Sequence, residues 1–160
     1  MAICLYGYNE KIEFTISEVI GFPDSTSYEG GYDLICKLVI DIGCFHIQCD
    51  RLFSATGALY RFVDELRACY NTLNGTAEYR LLLENDLSFQ VVMESGGHAV
   101  VNGRFQERPD KNNIFEFEME TDQTCFLSVL QEIEALKEVY GGITGKEELA
   151  DGETQGFRKA

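Results

Sequence analysis

Hydrophobic and polar residues alternate along several short segments of this chain, most regularly between positions 115 and 120. That segment reads Phe115, Glu116, Phe117, Glu118, Met119, Glu120. A period of two places the apolar side chains on one face of a strand and the carboxylates on the other. We therefore predict a half-buried strand that packs its apolar face on a core and exposes a row of three glutamates.

The same alternation, interrupted by turn residues, predicts about eight short strands paired as antiparallel hairpins. They cover residues 3–7, 12–20, 32–40, 45–49, 76–84, 87–95, 99–106 and 114–121. The apolar residues of 87–95 and of 99–106 are mostly odd-numbered. They can face each other only if the loop between the two strands has an odd number of residues, which favours a three-residue loop at Gly96-Gly97-His98. The predicted register places Leu5 opposite Phe14, Ile40 opposite Phe45, and Phe89 opposite Phe105.

Two segments have helical rather than strand periodicity. Ser54 is a suitable N-cap for the first, and Asn74-Gly75 ends it, with Gly75 in the left-handed position. Asp122 caps the second, which ends at Gly141-Gly142. The apolar stripe of the first consists of Leu59, Phe62, Val63, Leu66, Cys69, Tyr70 and Leu73; that of the second consists of Phe126, Val129, Leu130, Ile133, Leu136 and Tyr140.

Together these elements predict an α+β fold of antiparallel sheet hairpins, curled or in two layers, with two amphipathic helices packed against them. We expect residues 1–143 to form a single domain. We expect residues 144–160 to be a flexible tail, because that segment has few apolar residues to offset the entropy of ordering it.

Charge changes the picture because it is strongly one-sided. The chain has 27 Asp and Glu against 13 Lys and Arg, a formal net charge of −14. Such a chain is repelled by nucleic acid and by anionic membranes, whereas it suits a basic protein partner. No apolar run approaches the roughly 18 residues that a spanning helix needs. The N-terminus lacks the pattern of a signal peptide, so we expect a cytoplasmic protein.

Candidate catalytic groups are few. Cys44 and His46 lie two residues apart on one strand face, about 7 Å from each other, which is too far for direct proton transfer. Cys49 points to the opposite face, so these three residues do not form a metal site. Glycine-rich phosphate-binding motifs do not occur. We therefore predict a binding protein without catalytic residues, cofactor or metal, whose six cysteines are reduced and packed as small hydrophobes.

Two surfaces are candidates for contact with a partner. The first is the polar face of the later strands, where we expect Glu94, Glu116, Glu118 and Glu120 to lie together. The second contains tyrosines beside acids, a combination common at interfaces, and consists of Tyr28, Glu29, Tyr32 and Asp33. The first face is alternatively an ordinary solvated sheet surface, and the second a turn whose tyrosines fold over a sheet edge.

Three segments carry a family resemblance: Leu73-Asn74-Gly75-Thr76-Ala77-Glu78, Gly97-His98-Ala99-Val100-Val101-Asn102-Gly103 and Asp122-Gln123-Thr124. Their order, over about residues 3–141, resembles the WapI-type immunity proteins of bacterial polymorphic toxin systems. The resemblance implies a small cytoplasmic protein that binds and inactivates a cognate toxin domain, which in WapI systems is thought to be a nuclease acting on tRNA. The alternative is an adaptor or subunit that uses the same sheet face on another partner; the residues leave the oligomeric state open.

Overall fold

Two four-stranded antiparallel sheets and two helices make up the fold in the computed structural model, which describes residues 1–146. The predicted α+β class is confirmed, and within each sheet neighbouring strands follow one another in the chain. The first sheet consists of β1 (Ala2–Tyr6), β2 (Lys11–Ile20), β3 (Asp33–Ile42) and β4 (Phe45–Ala55). The second consists of β5 (Thr76–Tyr79), β6 (Leu87–Met93), β7 (His98–Phe105) and β8 (Phe115–Asp122).

The predicted hairpin registers are wrong by two residues. Leu5 pairs with Ile12, Ile40 pairs with Ile47, and Phe89 pairs with Gly103. The chain reverses slightly earlier or later than its turn residues indicate. A shift of two leaves these paired side chains on their predicted faces. A bulge between Ile16 and Glu18 exchanges the faces at the end of β2, where Val19 packs against the core and Ile20 is exposed.

The turns explain the shifts. Between β1 and β2 the chain reverses at Asn9, whose φ is 60°, and the Gly7 N–H donates to the Glu10 carbonyl at 2.8 Å. Between β3 and β4 it reverses at Gly43, whose φ is 57°. Past the end of β6 the Glu94 N–H donates to the His98 carbonyl at 2.7 Å. The loop that this pair closes has the three residues predicted, but it is Ser95–Gly97 and begins one residue earlier.

The first helix, α1 (Thr56–Thr72), follows β4 without a loop. Ser54 is therefore not its N-cap: Ser54 lies in β4, and its hydroxyl hydrogen-bonds the Tyr79 hydroxyl at 2.7 Å in the core. At the other end Leu73, with φ 55°, takes the left-handed position predicted for Gly75.

The second helix, α2 (Phe126–Tyr140), begins and ends as its caps indicate. The Asp122 carboxylate accepts the Thr124 N–H at 2.8 Å and opens a short 3₁₀ turn, Gln123–Cys125, that leads into the helix. The chain leaves the helix at Gly141.

One continuous core joins the inner faces of both sheets to both helices. Its aromatic centre brings Phe14 of the first sheet within 5.3 Å of Tyr79, ring centre to ring centre, and Phe62 of α1 within 5.3 Å of Phe89. Helix α2 packs along β1, and α1 packs along β5. The outer face of the second sheet, which carries the predicted glutamates, is left exposed.

The segment that follows α2 is fastened to the domain. The Tyr60 hydroxyl donates to the Gly141 carbonyl at 2.6 Å, the Gly31 N–H donates to the Ile143 carbonyl at 2.6 Å, and the Lys146 N–H donates to the Tyr32 hydroxyl at 2.8 Å. Residues 144–146 of the predicted tail thus lie against the fold, and the rest of that tail, 147–160, lies outside the described residues.

Within residues 1–146 no helix combines the length and the apolar character that crossing a membrane requires.

Candidate interaction surface

The outer face of the second sheet is built from the even-numbered positions of its strands. Strand pairing places Arg104 opposite Glu116, Asn102 opposite Glu118 and Val100 opposite Glu120. Their odd-numbered neighbours on β8 are buried or half-buried, because they pack on the core. Alternation alone therefore fixes the three glutamates on the open side of the sheet, as the sequence predicts.

These glutamates, with Glu94 at the end of β6, form a surface that we call the acidic face. All four side chains are exposed. No ion pair or side-chain hydrogen bond from another described residue engages any of their carboxylates. Their negative charge is therefore directed to solvent rather than balanced by the fold.

Charge on this sheet is uneven from one edge to the other. At the β5 edge Glu78 is compensated, with its carboxylate 2.8 Å from Arg80 Nε and accepting a hydrogen bond from Gln90 at 3.0 Å. Arg104 lies opposite Glu116 in register but donates to Gln106 Oε1 at 3.1 Å instead. The uncompensated charge is therefore concentrated along β8.

The turn between β1 and β2 adds a tyrosine to the acidic face. Tyr8 is 51% exposed and its hydroxyl donates to Asp122 Oδ2 at 3.3 Å. Gly7 makes this approach possible, because a Cβ there would lie 2.6 Å from the Glu120 carbonyl oxygen. The hydroxyl and backbone N–H of Thr124 lower the pKa of Asp122. Tyr8 could not be predicted from the sequence, since only the tertiary fold brings this turn to β8.

The second predicted surface is only partly at the surface. Tyr28 is 76% exposed, but Tyr32 is fully buried, so the exposure expected of Tyr32 is wrong. Its N–H donates to Thr56 Oγ1 at 2.9 Å and its hydroxyl donates to the Pro23 carbonyl at 2.8 Å. Tyr32 thus joins α1, its own loop and, through Lys146, the C-terminal segment.

Glu29 is also buried, with 5% of its surface exposed. Its carboxylate accepts the Leu82 N–H at 2.8 Å and the Leu83 N–H at 3.3 Å, and it pairs with Arg61 Nη2 at 2.9 Å. These partners use its acceptor capacity, so the Glu29 carboxylate holds the fold together. The expectation that Glu29 is exposed is wrong.

The open part of this region is a groove of about 380 Å³ between the loop after β2, the end of β4 and the segment after β5. Asp33 is half-buried at its edge and accepts a hydrogen bond from the Ser27 hydroxyl. Five of the lining residues were not predicted from the sequence, because their approach to Tyr28 depends on the tertiary fold: Ser27, Phe53, Leu81, Leu83 and Glu84.

With both surfaces defined, comparison with known proteins identifies the family. The model of the immunity protein WapI-like family matches residues 4–141. The chain belongs to the WapI-like immunity protein family. This match runs from β1 to the end of α2, so the family's domain is the whole arrangement of two sheets and two helices described above. No curated protein and no solved structure matches the chain.

Membership in the WapI-like family implies a cognate toxin as the partner. The remaining candidate groups are the histidine and cysteines that the sequence analysis considered for catalysis or metal binding. His46 Nδ1 pairs with Asp41 Oδ1 on the outer side of the first sheet. In the described part of the chain, no hydrogen bond connects the exposed Cys44 to His46. The six cysteines are free thiols, and no three His, Cys, Asp or Glu side chains among residues 1–146 are grouped to hold a metal ion.

Proposed function

We propose that this member of the WapI-like family binds and neutralises its cognate toxin domain by stoichiometric, charge-complementary binding through the acidic face. The observation that carries the proposal is the exposed row of Glu116, Glu118 and Glu120, whose carboxylates have no partner among residues 1–146. Strand β8 fixes the backbone positions of these charges, so a partner has to order only the glutamate side chains on binding.

Charge on this scale acts mainly on the rate and specificity of association. An exposed ion pair contributes only about 0–1 kcal/mol, so three glutamates alone do not make a tight complex. A field of one sign raises association rates by about 10- to 1,000-fold at low salt. The acidic face therefore guides a basic partner into position, and the exposed aromatic ring of Tyr8 beside it is suited to anchoring the complex.

A nuclease toxin fits this chemistry. A domain that binds polyanionic RNA presents a basic surface around its active site. An acidic protein bound there covers the surface that the RNA needs and neutralises the toxin without turnover. Toxins of this kind are the ones that the resemblance to WapI systems implies.

The test is to reverse the charge of the acidic face. In the variant Glu116→Lys/Glu118→Lys/Glu120→Lys we expect association with the cognate toxin domain to slow by about tenfold or more at low salt. The free energy of unfolding should change little, because the three side chains are exposed and unpaired. Surface plasmon resonance gives the rates, and urea unfolding gives the stability.

A matched control separates local from global charge. Asp64→Lys/Glu132→Lys/Glu138→Lys makes the same change in net charge at exposed positions on the helices. We expect it to retain most of the association rate. Equal rates for the wild type and the acidic-face variant would exclude this face as the toxin contact.

The adaptor alternative is tested by finding the partner directly. Pull-down of the tagged protein from lysate of its own source, at low and high salt, followed by mass spectrometry, identifies what binds. A basic toxin domain that is lost at high salt supports the proposal. A partner without toxin activity, retained at high salt, supports the adaptor.

A further inference from the structure

The groove beside Tyr28 has a composition that the acidic face lacks, because it combines apolar side chains with acids. Its lining includes Tyr28, Phe53, Leu81 and Leu83, together with the carboxylates of Asp33 and Glu84. The groove and the acidic face have no residue in common.

Glu29 fixes the two sides of the groove relative to each other. It belongs to the loop that carries Tyr28, and its carboxylate binds the backbone N–H groups of Leu82 and Leu83 on the opposite side. The Arg61 guanidinium donates to both the carboxylate and the backbone carbonyl of Glu29. The groove is therefore formed before anything binds, which lowers the entropic cost of binding.

The charge of the lining has one sign. Three carboxylates line the groove, and no lysine, arginine or histidine does so. Glu29 is balanced by Arg61, whereas neither Asp33 nor Glu84 has a cationic partner among the described residues. Such a site repels anions and attracts a cation.

The aromatic rings specify what kind of cation fits. A guanidinium group is planar, stacks on aromatic faces and binds carboxylates through paired hydrogen bonds. Its aliphatic stem packs well on leucine side chains such as Leu81 and Leu83. An ammonium group is a strongly hydrated point charge and makes poorer use of flat rings.

We propose that this groove binds a single arginine side chain of the toxin domain, as a second anchor away from the acidic face. That the arginine belongs to the toxin domain rests on the proposed function. The recognition of the guanidinium itself rests on the groove alone and is measured without any toxin.

The first experiment titrates the ¹⁵N-labelled full-length protein with the peptide acetyl-Gly-Arg-Gly-amide and follows amide shifts by NMR. We expect saturable shifts confined to residues around Tyr28, Phe53 and Leu83. The control peptide carries citrulline, which has the shape of arginine without its charge, and should cause no saturable shift.

Two variants locate the binding site. Tyr28→Ala and Glu84→Gln alter exposed side chains, so both should fold normally. Each should remove most of the shifts, whereas Val139→Ala and Glu132→Gln, exposed on α2, should retain them. Equal shifts with citrulline, shifts spread over the acidic face, or no saturable shifts would overturn guanidinium recognition in the groove.

The second experiment measures toxin binding by the same variants. We expect Tyr28→Ala and Glu84→Gln each to weaken affinity about tenfold, mostly through faster dissociation, as is usual for interface substitutions. Normal toxin affinity in both variants would overturn the groove as an anchor and leave the proposed function intact. A wild type that binds no toxin would instead overturn the proposed function, and the peptide titration would still decide guanidinium recognition.

Discussion

At the scale of single residues, Glu29 has the greatest structural consequence. One carboxylate links the loop after β2 to α1, through Arg61, and to the segment after β5, through Leu82 and Leu83. A charge buried to this degree is tolerated only when it is paired and hydrogen-bonded, and here it is both. The arrangement is correspondingly sensitive to loss of the charge.

We predict that Glu29→Gln lowers the free energy of unfolding by about 2–4 kcal/mol. The amide has no charge to balance Arg61, and its own N–H₂ group is directed at donors that need an acceptor. Urea unfolding measures the loss, and Glu132→Gln, exposed on α2, should change the value by less than about 0.5 kcal/mol. A similarly small effect in Glu29→Gln would show that the buried pair contributes nothing net.

The tyrosines show how far single residues could be judged from the sequence. Tyr28 and Tyr32 stand in the same polar, glycine-rich stretch, yet one is exposed and the other fully buried. Tyr32 is covered because the chain returns after α2 and places Gly145 and Lys146 against its hydroxyl. That contact joins positions more than a hundred residues apart, and nothing local to Tyr32 indicates it.

At the scale of elements, the alternation of apolar and polar residues predicted well which face of a sheet a side chain occupies. It predicted poorly which residues pair across each hairpin. Which side of the sheet Glu118 occupies depends only on its immediate neighbours in the strand. Which residue it pairs with depends on where the chain reverses, and several residues near each turn are compatible with a reversal. Asn9 and Gly43 take left-handed conformations that decide the outcome. The sequence predicts both turns, but it does not determine which residues in each turn reverse the chain.

The junction of β4 with α1 depends on a glycine. Gly57 lies in the first turn of α1 and its N–H donates to the Gly30 carbonyl at 3.0 Å. A Cβ at this position would lie 2.3 Å from the Glu29 carbonyl oxygen and 2.4 Å from that of Gly30. Both obstacles are backbone atoms, so they cannot be relieved by a change of rotamer.

We therefore predict that Gly57→Ala destabilises the protein by about 1–3 kcal/mol, although alanine is the better helix former. Gly142→Ala is the matched control, because the nearest atom to its added Cβ is Lys137 Cε at an ordinary 3.6 Å. Thermal unfolding followed by circular dichroism compares the two. Equal midpoints would mean that the loop moves aside at little cost.

At the scale of the whole molecule, the core contains a cysteine thiol and tyrosine hydroxyls whose pKa values are raised, so that they ionise only at high pH. Burial raises the pKa of the Cys36 thiol from 9.0 to about 12 and that of the Tyr60 hydroxyl from 10.0 to about 12. Burial also raises the pKa of Tyr79. In the unfolded chain these groups lose their protons near their ordinary values, whereas the folded chain retains them to higher pH.

We predict that stability is insensitive to these groups below about pH 9 and falls between about pH 9 and 12, where the unfolded state binds fewer protons than the folded state. Urea unfolding at half-unit intervals, in 0.5 M salt to screen the net negative charge, measures the slope. Tyr60→Phe should flatten the slope above pH 10. An unchanged slope in that variant would assign the loss to other groups.

The alternation along β8 has a consequence for how this surface can change. A slip of one residue in that strand would bury three carboxylates and expose Phe115, Phe117 and Met119, so the charges themselves help to exclude the wrong register. Once the register is set, the exposed even-numbered side chains of β8 do not take part in the packing of the odd-numbered ones on the core. Substitutions at Glu116, Glu118 and Glu120 can therefore alter which partners are attracted, while the side chains that hold the fold remain as they are.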